Sequence, residues 1–238
     1  MVGVQIGEYH TWKDWELYLQ KIELSEPVKK EYKVSVPSGN GSIDLSDTLT
    51  GGEPRFENRT LKMTFEVITE QYDVMFQKAS EIANKIHGRR EKITLDDDKG
   101  FYYFGTCKVE FDRLNPMITS FSITADVDPY KYEQFSSAEK WEWDSFNFCS
   151  GVIRELVDIE ITEDDQQIFI AAGNTGIPPV FWVQEVTQDP LQVEFNGKTY
   201  QLKEGRNRFP QIRVGREDVT LKFQGRGTLT IEYRGGSL

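Results

Sequence analysis

The chain has 238 residues, room for one large all-β domain or two ordinary ones, each with its own core. Its formal net charge of -11 argues against tight, non-specific binding of double-stranded nucleic acid, which works by neutralising phosphates. Aromatic residues make up 13% of a chain that is only 38% hydrophobic, a balance that favours compact β-rich domains over disorder.

In chain order, the first signal is alternation, the period-two pattern of half-buried strands. Trp15, Leu17 and Leu19 alternate with polar residues, and so do Tyr32, Val34 and Val36. Leu61, Met63, Phe65 and Val67 form a third such run. From Thr69 to Gly88 the apolar residues Tyr72, Met75, Phe76, Ala79, Ile82, Ala83 and Ile86 fall on one face of a helix. Thr69 is the expected N-cap and Gly88 the expected left-handed stop. At the helix end, Arg89, Arg90 and Lys92 are the nearest approach to a basic patch, placed to complement the helix dipole.

Ile93 and Leu95, an acidic turn from Asp96 to Gly100, and the run Phe101 to Phe111 predict a β-hairpin. Phe121, Ile123, Ala125 and Val127 predict another half-buried strand. Pro129-Tyr130-Lys131-Tyr132 closes the first block, and Ser136-Ser137-Ala138-Glu139 is the most linker-like tetrad. The expected domains are therefore 1–136 and 137–238.

The second block reads as almost purely β. Trp141, Trp143, Phe146 and Phe148 suggest its opening strand, and Ile168 and Ile170 belong to a later one. Asn174 to Pro179 is a rigid loop feeding a strand at Val180 to Val183. Asn196-Gly197, between Val193-Phe195 and Tyr200-Leu202, spells a hairpin turn. Val219, Leu221 and Phe223, then Gln224 to Gly227, then Leu229, Ile231 and Tyr233, read as a second hairpin. The fold class expected is mainly β: an antiparallel sandwich-like N-terminal domain with one helix, about 69–88, and a C-terminal β-sandwich.

The search for chemistry returns no catalytic, cofactor-binding or metal site. The chain has two histidines. His87 sits at the predicted helix end, suited to the free carbonyls there. His10 lies in a polar loop without an evident partner. Cys107 and Cys149 have no metal spacing and are expected reduced and buried. Gly100 and Cys107 occupy the fifth and twelfth positions from Asp96, against a calcium loop of the EF-hand kind. Glu163, Asp164 and Asp165 form a second acidic cluster, with no specificity for glycosidase chemistry among 39 acidic residues. Trp182 is expected in the core, with stacking on a sugar ring as the other reading. No leader pattern follows Met1 and Val2, and no stretch approaches the roughly 20 apolar residues of a membrane span, so cytoplasmic synthesis and no membrane insertion are expected.

From Val36 to Val67 the chain reads V-P-S-G-N-G-S-I-D-L-S-D-T-L-T-G-G-E-P-R-F-E-N-R-T-L-K-M-T-F-E-V. This resembles the distal tail (Dit) proteins of siphophages and prophages of Gram-positive bacteria. The matching features are a proline-glycine turn before Ile43-Asp44-Leu45, then Phe56, Asn58-Arg59 and the alternating strand, then the helix and hairpin, then Pro129 to Tyr132. The resemblance implies a structural protein without enzymatic activity or cofactor, with 1–136 as a ring-forming tail domain and 137–238 as a galectin-like β-sandwich. It implies a homohexameric ring at the virion tail tip, assembled in the host cytoplasm. The ring would join the tail tube protein to tail-associated or tape-measure and receptor-binding proteins, with DNA passing through the channel unbound. A carbohydrate-binding β-sandwich protein is the alternative.

Overall fold

The computed structural model describes residues 2–48, 50, 52–66, 72–111, 120–140 and 152–238. The chain divides into two compact units: Met1–Asp98, Tyr103–Lys131 and Leu238 form one, and Lys99–Tyr102 with Tyr132–Ser237 form the other.

The first unit carries β1 (Val4–Ile6), β2 (Tyr9–His10), β3 (Tyr18–Leu24), β4 (Lys33–Ser35), β5 (Ser42–Asp44), β6 (Arg59–Glu66), α1 (Tyr72–Ile86), β7 (Arg90–Leu95), most of β8 (Phe101–Phe111) and β9 (Ser120–Val127). Its main sheet runs β2-β1-β7-β8-β9-β6-β3, with antiparallel neighbours throughout. Register puts Leu61, Ala125 and Cys107 in one row across β6, β9 and β8, and Met63, Ile123 and Val109 in the next. This is the alternation predicted for β6 and β9, now aligned into a single apolar face. Ile82 and Ile86 of α1 are buried in the same cluster. Each such side chain contributes about 1.5–3 kcal/mol by leaving water. Gly88 has φ +73 and ends the helix as expected. The Thr69 cap and Val67 lie outside the described residues.

Two strands differ from expectation. The run at Trp15 to Leu19 is not one strand: Glu16 sits at φ 53, so Trp15 and Leu17 are buried from a turn and β3 begins at Tyr18. Tyr32, Val34 and Val36 do flank a strand, but their apolar face is not buried.

The second unit holds β10 (Lys131–Glu133) from Tyr132 onward, β11 (Ile159–Ile161), β12 (Gln166–Ile170), β13 (Val180–Phe195), β14 (Lys198–Gln201), β15 (Gly205–Arg208), β16 (Val219–Glu232) and β17 (Gly236–Ser237). Phe101 and Tyr102, at the start of β8, pair with Glu133 and Tyr132 here. The expected C-terminal hairpin is instead the single 14-residue strand β16. It pairs with the 16-residue β13, whose register shifts three times between Val183 and Gln192. The irregularities curl the pair, so one end is flanked by β11 and β15 and the other by β12 and β14. The glycines read as a turn serve close approach. A Cβ on Gly225 would lie 2.5 Å from the Pro190 carbonyl oxygen, and one on Gly227 2.5 Å from that of Glu185. Phe181, Val183, Val193, Leu221, Phe223, Leu229 and Ile231 fill the core so formed. Asn196 and Gly197, at φ 49 and 70, make the predicted tight turn between β13 and β14.

Ser136 and Ser137, read as linker, are buried. Ser137 Oγ donates to the Ile231 carbonyl and accepts from the Tyr233 N–H at 2.7 Å. Arg154 locks the same region through Glu133 and the Ala171 and Ala172 carbonyls. The expected strand at Trp141 to Phe148, and Cys149, lie outside the described residues.

Candidate functional site

Groups that sequence offered for chemistry are occupied structurally. His10 is buried, and its Nε2 lies 3.2 Å from Asp96 Oδ2. Its Nδ1 accepts the N–H groups of Trp12 and Lys13, so Nε2 carries the proton that Asp96 receives. The partner missing from the sequence reading is thus 86 residues away. His87 does not serve helix carbonyls: its Nδ1 accepts the Val109 N–H at 3.1 Å. At the acidic hairpin tip, Asp96 also accepts the Gly3 N–H, and Asp98 pairs with Lys131 at 2.6 Å. Asp164 accepts the Gly225 N–H and pairs with Arg226, which together hold its carboxyl below the usual range. Arg90 pairs with Asp128 at 2.5 Å and packs over Phe104, so it works on the sheet and not at the helix end. Among the described residues no three His, Cys, Asp or Glu side chains converge as metal ligands.

The surface that stands out is β4 and β5. Among the described residues they pair only with each other, Lys33 opposite Asp44, Val34 opposite Ile43 and Ser35 opposite Ser42. Ser38 at φ 63 and Gly41 at φ 80 shape the turn at the tip. At the base, the Leu45 N–H donates to the Tyr32 carbonyl and Lys29 pairs with Asp47 at 2.5 Å. Strand parity then sorts the ribbon into two faces. Lys33, Ser35, Ser42 and Asp44 make the polar face. Tyr32, Val34, Val36, Ile43 and Leu45 make the other, which carries no charge.

That apolar face is open. Tyr32 is 65% exposed, Ile43 54%, Val36 42%, Val34 39% and Leu45 37%. An isolated two-stranded ribbon is marginally stable in water, and five apolar side chains exposed on one of its faces make an arrangement that favours burial against another surface. Asp44, on the polar face, is held ionised by the Ser46 hydroxyl and N–H. Alternation had shown which side chains share a face; nothing local told that the face lacks a cover.

No protein-family model and no curated protein matches the chain. Among solved structures it matches the crystal structure of the Dit protein (gp 19.1) of phage SPP1, with a TM-score of 0.62 and 11% sequence identity over 98% of this chain and 99% of that one. The chain has the fold of a phage Dit protein. That protein is described as a paradigm of the hub adsorption apparatus in phages infecting Gram-positive bacteria. The mainly β class, with one helix among the described residues, stands as expected.

On the Dit-like fold, the segments that carried the resemblance take separate places. Ile43-Asp44-Leu45 lies at the second strand of the open ribbon. Phe56 bridges back to Lys29 and stacks edge-on against Tyr130. Asn58 donates to Asp126 at 3.0 Å, and Arg59 is buried, its Nε donating to the Ser25 carbonyl at 2.7 Å. Trp182, expected in the core, is 40% exposed on β13. It pairs in register with Arg206 and Thr230; Phe181 and Val183 point in, Trp182 and Arg206 are exposed, and Thr230 is buried under Gln184 and Asp158.

Proposed function

We propose that the chain is a structural protein of a phage tail tip that assembles with copies of itself through the apolar face of the β4–β5 ribbon. The observation that carries this is the uncharged, open face of Tyr32, Val34, Val36, Ile43 and Leu45 on a chain with the fold of a hub protein. Copies that each carry a net charge of -11 repel one another at long range, so a neutral apolar strip is the chemistry their contact requires. In this reading 1–136 closes a ring of six and 137–238, the galectin-like part, projects from it. The ring joins the tail tube protein to tail-associated or tape-measure and receptor-binding proteins at the virion tip. Six copies carry 6 × (-11) = -66, and the channel wall, not being basic, lets DNA slide without sticking. No enzymatic step is assigned.

Light scattering at rising concentration, with negative-stain imaging, tests this. A closed particle of six times the 27.5 kDa chain mass is expected. Val34→Asp and Ile43→Asp should each leave a monomer whose melting is unchanged within about 0.5 kcal/mol, since surface substitutions rarely cost more. An assembly indifferent to both substitutions, or a wild-type chain that stays monomeric at high concentration with tail partners added, defeats the reading.

A further inference from the structure

Residues 198–216 hold six basic side chains and one acidic, a net charge of +5, so the rest of the chain carries (-11) - (+5) = -16. Lys198, Lys203, Arg206, Arg208, Arg213 and Arg216 are all exposed. None is in an ion pair among the described residues, although twelve other Lys and Arg side chains and His10 are. Of the six, Lys198 lies on β14 at the far end of β13 and Arg213 donates to the Pro210 and Gly176 carbonyls, whereas Arg206 and Arg208 share one face of β15 without a carboxylate partner among the described residues and offer a surface matched to an anion.

Two of them stand beside a fixed aromatic platform. Arg206 is directly opposite Trp182 across β15 and β13, and Arg208 is opposite Val180, so both share the outward face with the indole. The Arg206 guanidinium lies 6.0 Å from the Trp182 ring centre. Trp182 Nε1 donates to Glu232 Oε2 at 2.7 Å, which holds the ring in place and leaves the second oxygen of Glu232 free to accept. Next to it Gln184 is held by Thr230 Oγ1 at 2.9 Å and Asp158 at 3.0 Å.

We propose that this face of β13, β15 and β16 binds an acidic polysaccharide, with a sugar ring stacked on Trp182 and its acid group turned to Arg206 and Arg208. The rigid indole supplies the flat apolar surface that the C–H face of a pyranose covers. The arginines supply paired donors for the acid. Glu232 distinguishes this ligand from nucleic acid. An acidic sugar brings hydroxyl donors to that carboxylate while its acid group turns to the arginines, whereas a phosphodiester backbone brings only acceptors to it. The proposal is independent of ring assembly, because it uses the second unit alone and none of the ribbon.

The test uses the full chain and a fluorescein-labelled oligogalacturonate, read by fluorescence polarisation, with a neutral dextran oligomer and duplex DNA as competitors. Trp182→Ala should weaken binding about tenfold, Trp182→Phe less than threefold, and the pair Arg206→Gln with Arg208→Gln about tenfold with a shallower salt dependence. Neither dextran nor DNA should compete. Because these side chains are exposed, melting should be unchanged, and the Trp182→Phe variant keeps the result readable if the alanine variant folds poorly. No binding of the oligogalacturonate, binding that Trp182→Ala leaves intact, or DNA bound as tightly overturns the proposal. The ribbon variants should bind the oligosaccharide normally, which separates this result from that of the assembly test.

Discussion

Cys107 lies on β8 with its side chain turned into the core of the first unit, opposite Ala125 on β9. Burial, with Glu91 adding to it, pushes the thiol up to about 12. The unfolded chain ionises near the ordinary value of 9.0 while the folded chain stays protonated. The stability this contributes is complete below pH 9 and is lost as pH rises from there toward 12. Buried Tyr103 and Tyr233 shift the same way, so Cys107→Ala should remove part of the alkaline loss and leave a remainder. In a Cys149→Ser background, Ellman's reagent at pH 8 should find no reactive thiol in the folded chain and one after unfolding. Rapid labelling of the native chain would mean the site is open to water. Residue roles set by distant partners were the least legible in sequence. His10 gave no sign of Asp96, and Trp182 gave none of its exposure, because strand parity identifies a face without saying whether it turns inward.

At the scale of elements, legibility followed locality. The helix and the Asn196-Gly197 turn declare themselves within a few residues, since a 3.6-residue stripe and a left-handed dipeptide are local facts. The segment Gln224 to Gly227 misleads for the same reason. Its glycines look like a turn, yet they sit where β16 closes on the irregular stretch of its sheet neighbour β13, a contact with residues 35 to 42 positions away in the chain. Gly225 and Gly41 separate the two roles. Both have positive φ, +94 and +80, but a Cβ on Gly41 meets open space and one on Gly225 meets the Pro190 carbonyl. Gly41→Ala should therefore cost about 1 kcal/mol, the conformational part alone. Gly225→Ala should cost roughly 3 kcal/mol or more, because strain and collision add. Urea unfolding of the two variants decides it. Equal losses would show that Gly225 is a turn residue after all.

For the whole molecule, the governing quantity is charge against apolar contact. In the assembly proposed above each copy would bring -11, while the ribbon face of Tyr32, Val34, Val36, Ile43 and Leu45 brings no charge. The repulsion acts through water over a Debye length, about 10 Å at 0.1 M salt and about 3 Å at 1 M. Apolar burial is not screened by salt and is strengthened by sulfate. The two forces therefore answer oppositely to ionic strength when assembly is held by the ribbon. The oligomer measured by sedimentation should gain population from 0.05 M to 0.5 M sodium chloride, and gain more in sodium sulfate at equal ionic strength. Ile43→Asp should stay monomeric across that whole range, because screening removes only the repulsion and restores no apolar contact. The opposite slope, dissociation as salt is added, would mean that ion pairs hold the copies together. Contact would then have to come from the exposed basic side chains of residues 198–216 meeting the acidic remainder of a neighbour, and the ribbon would have no part in it.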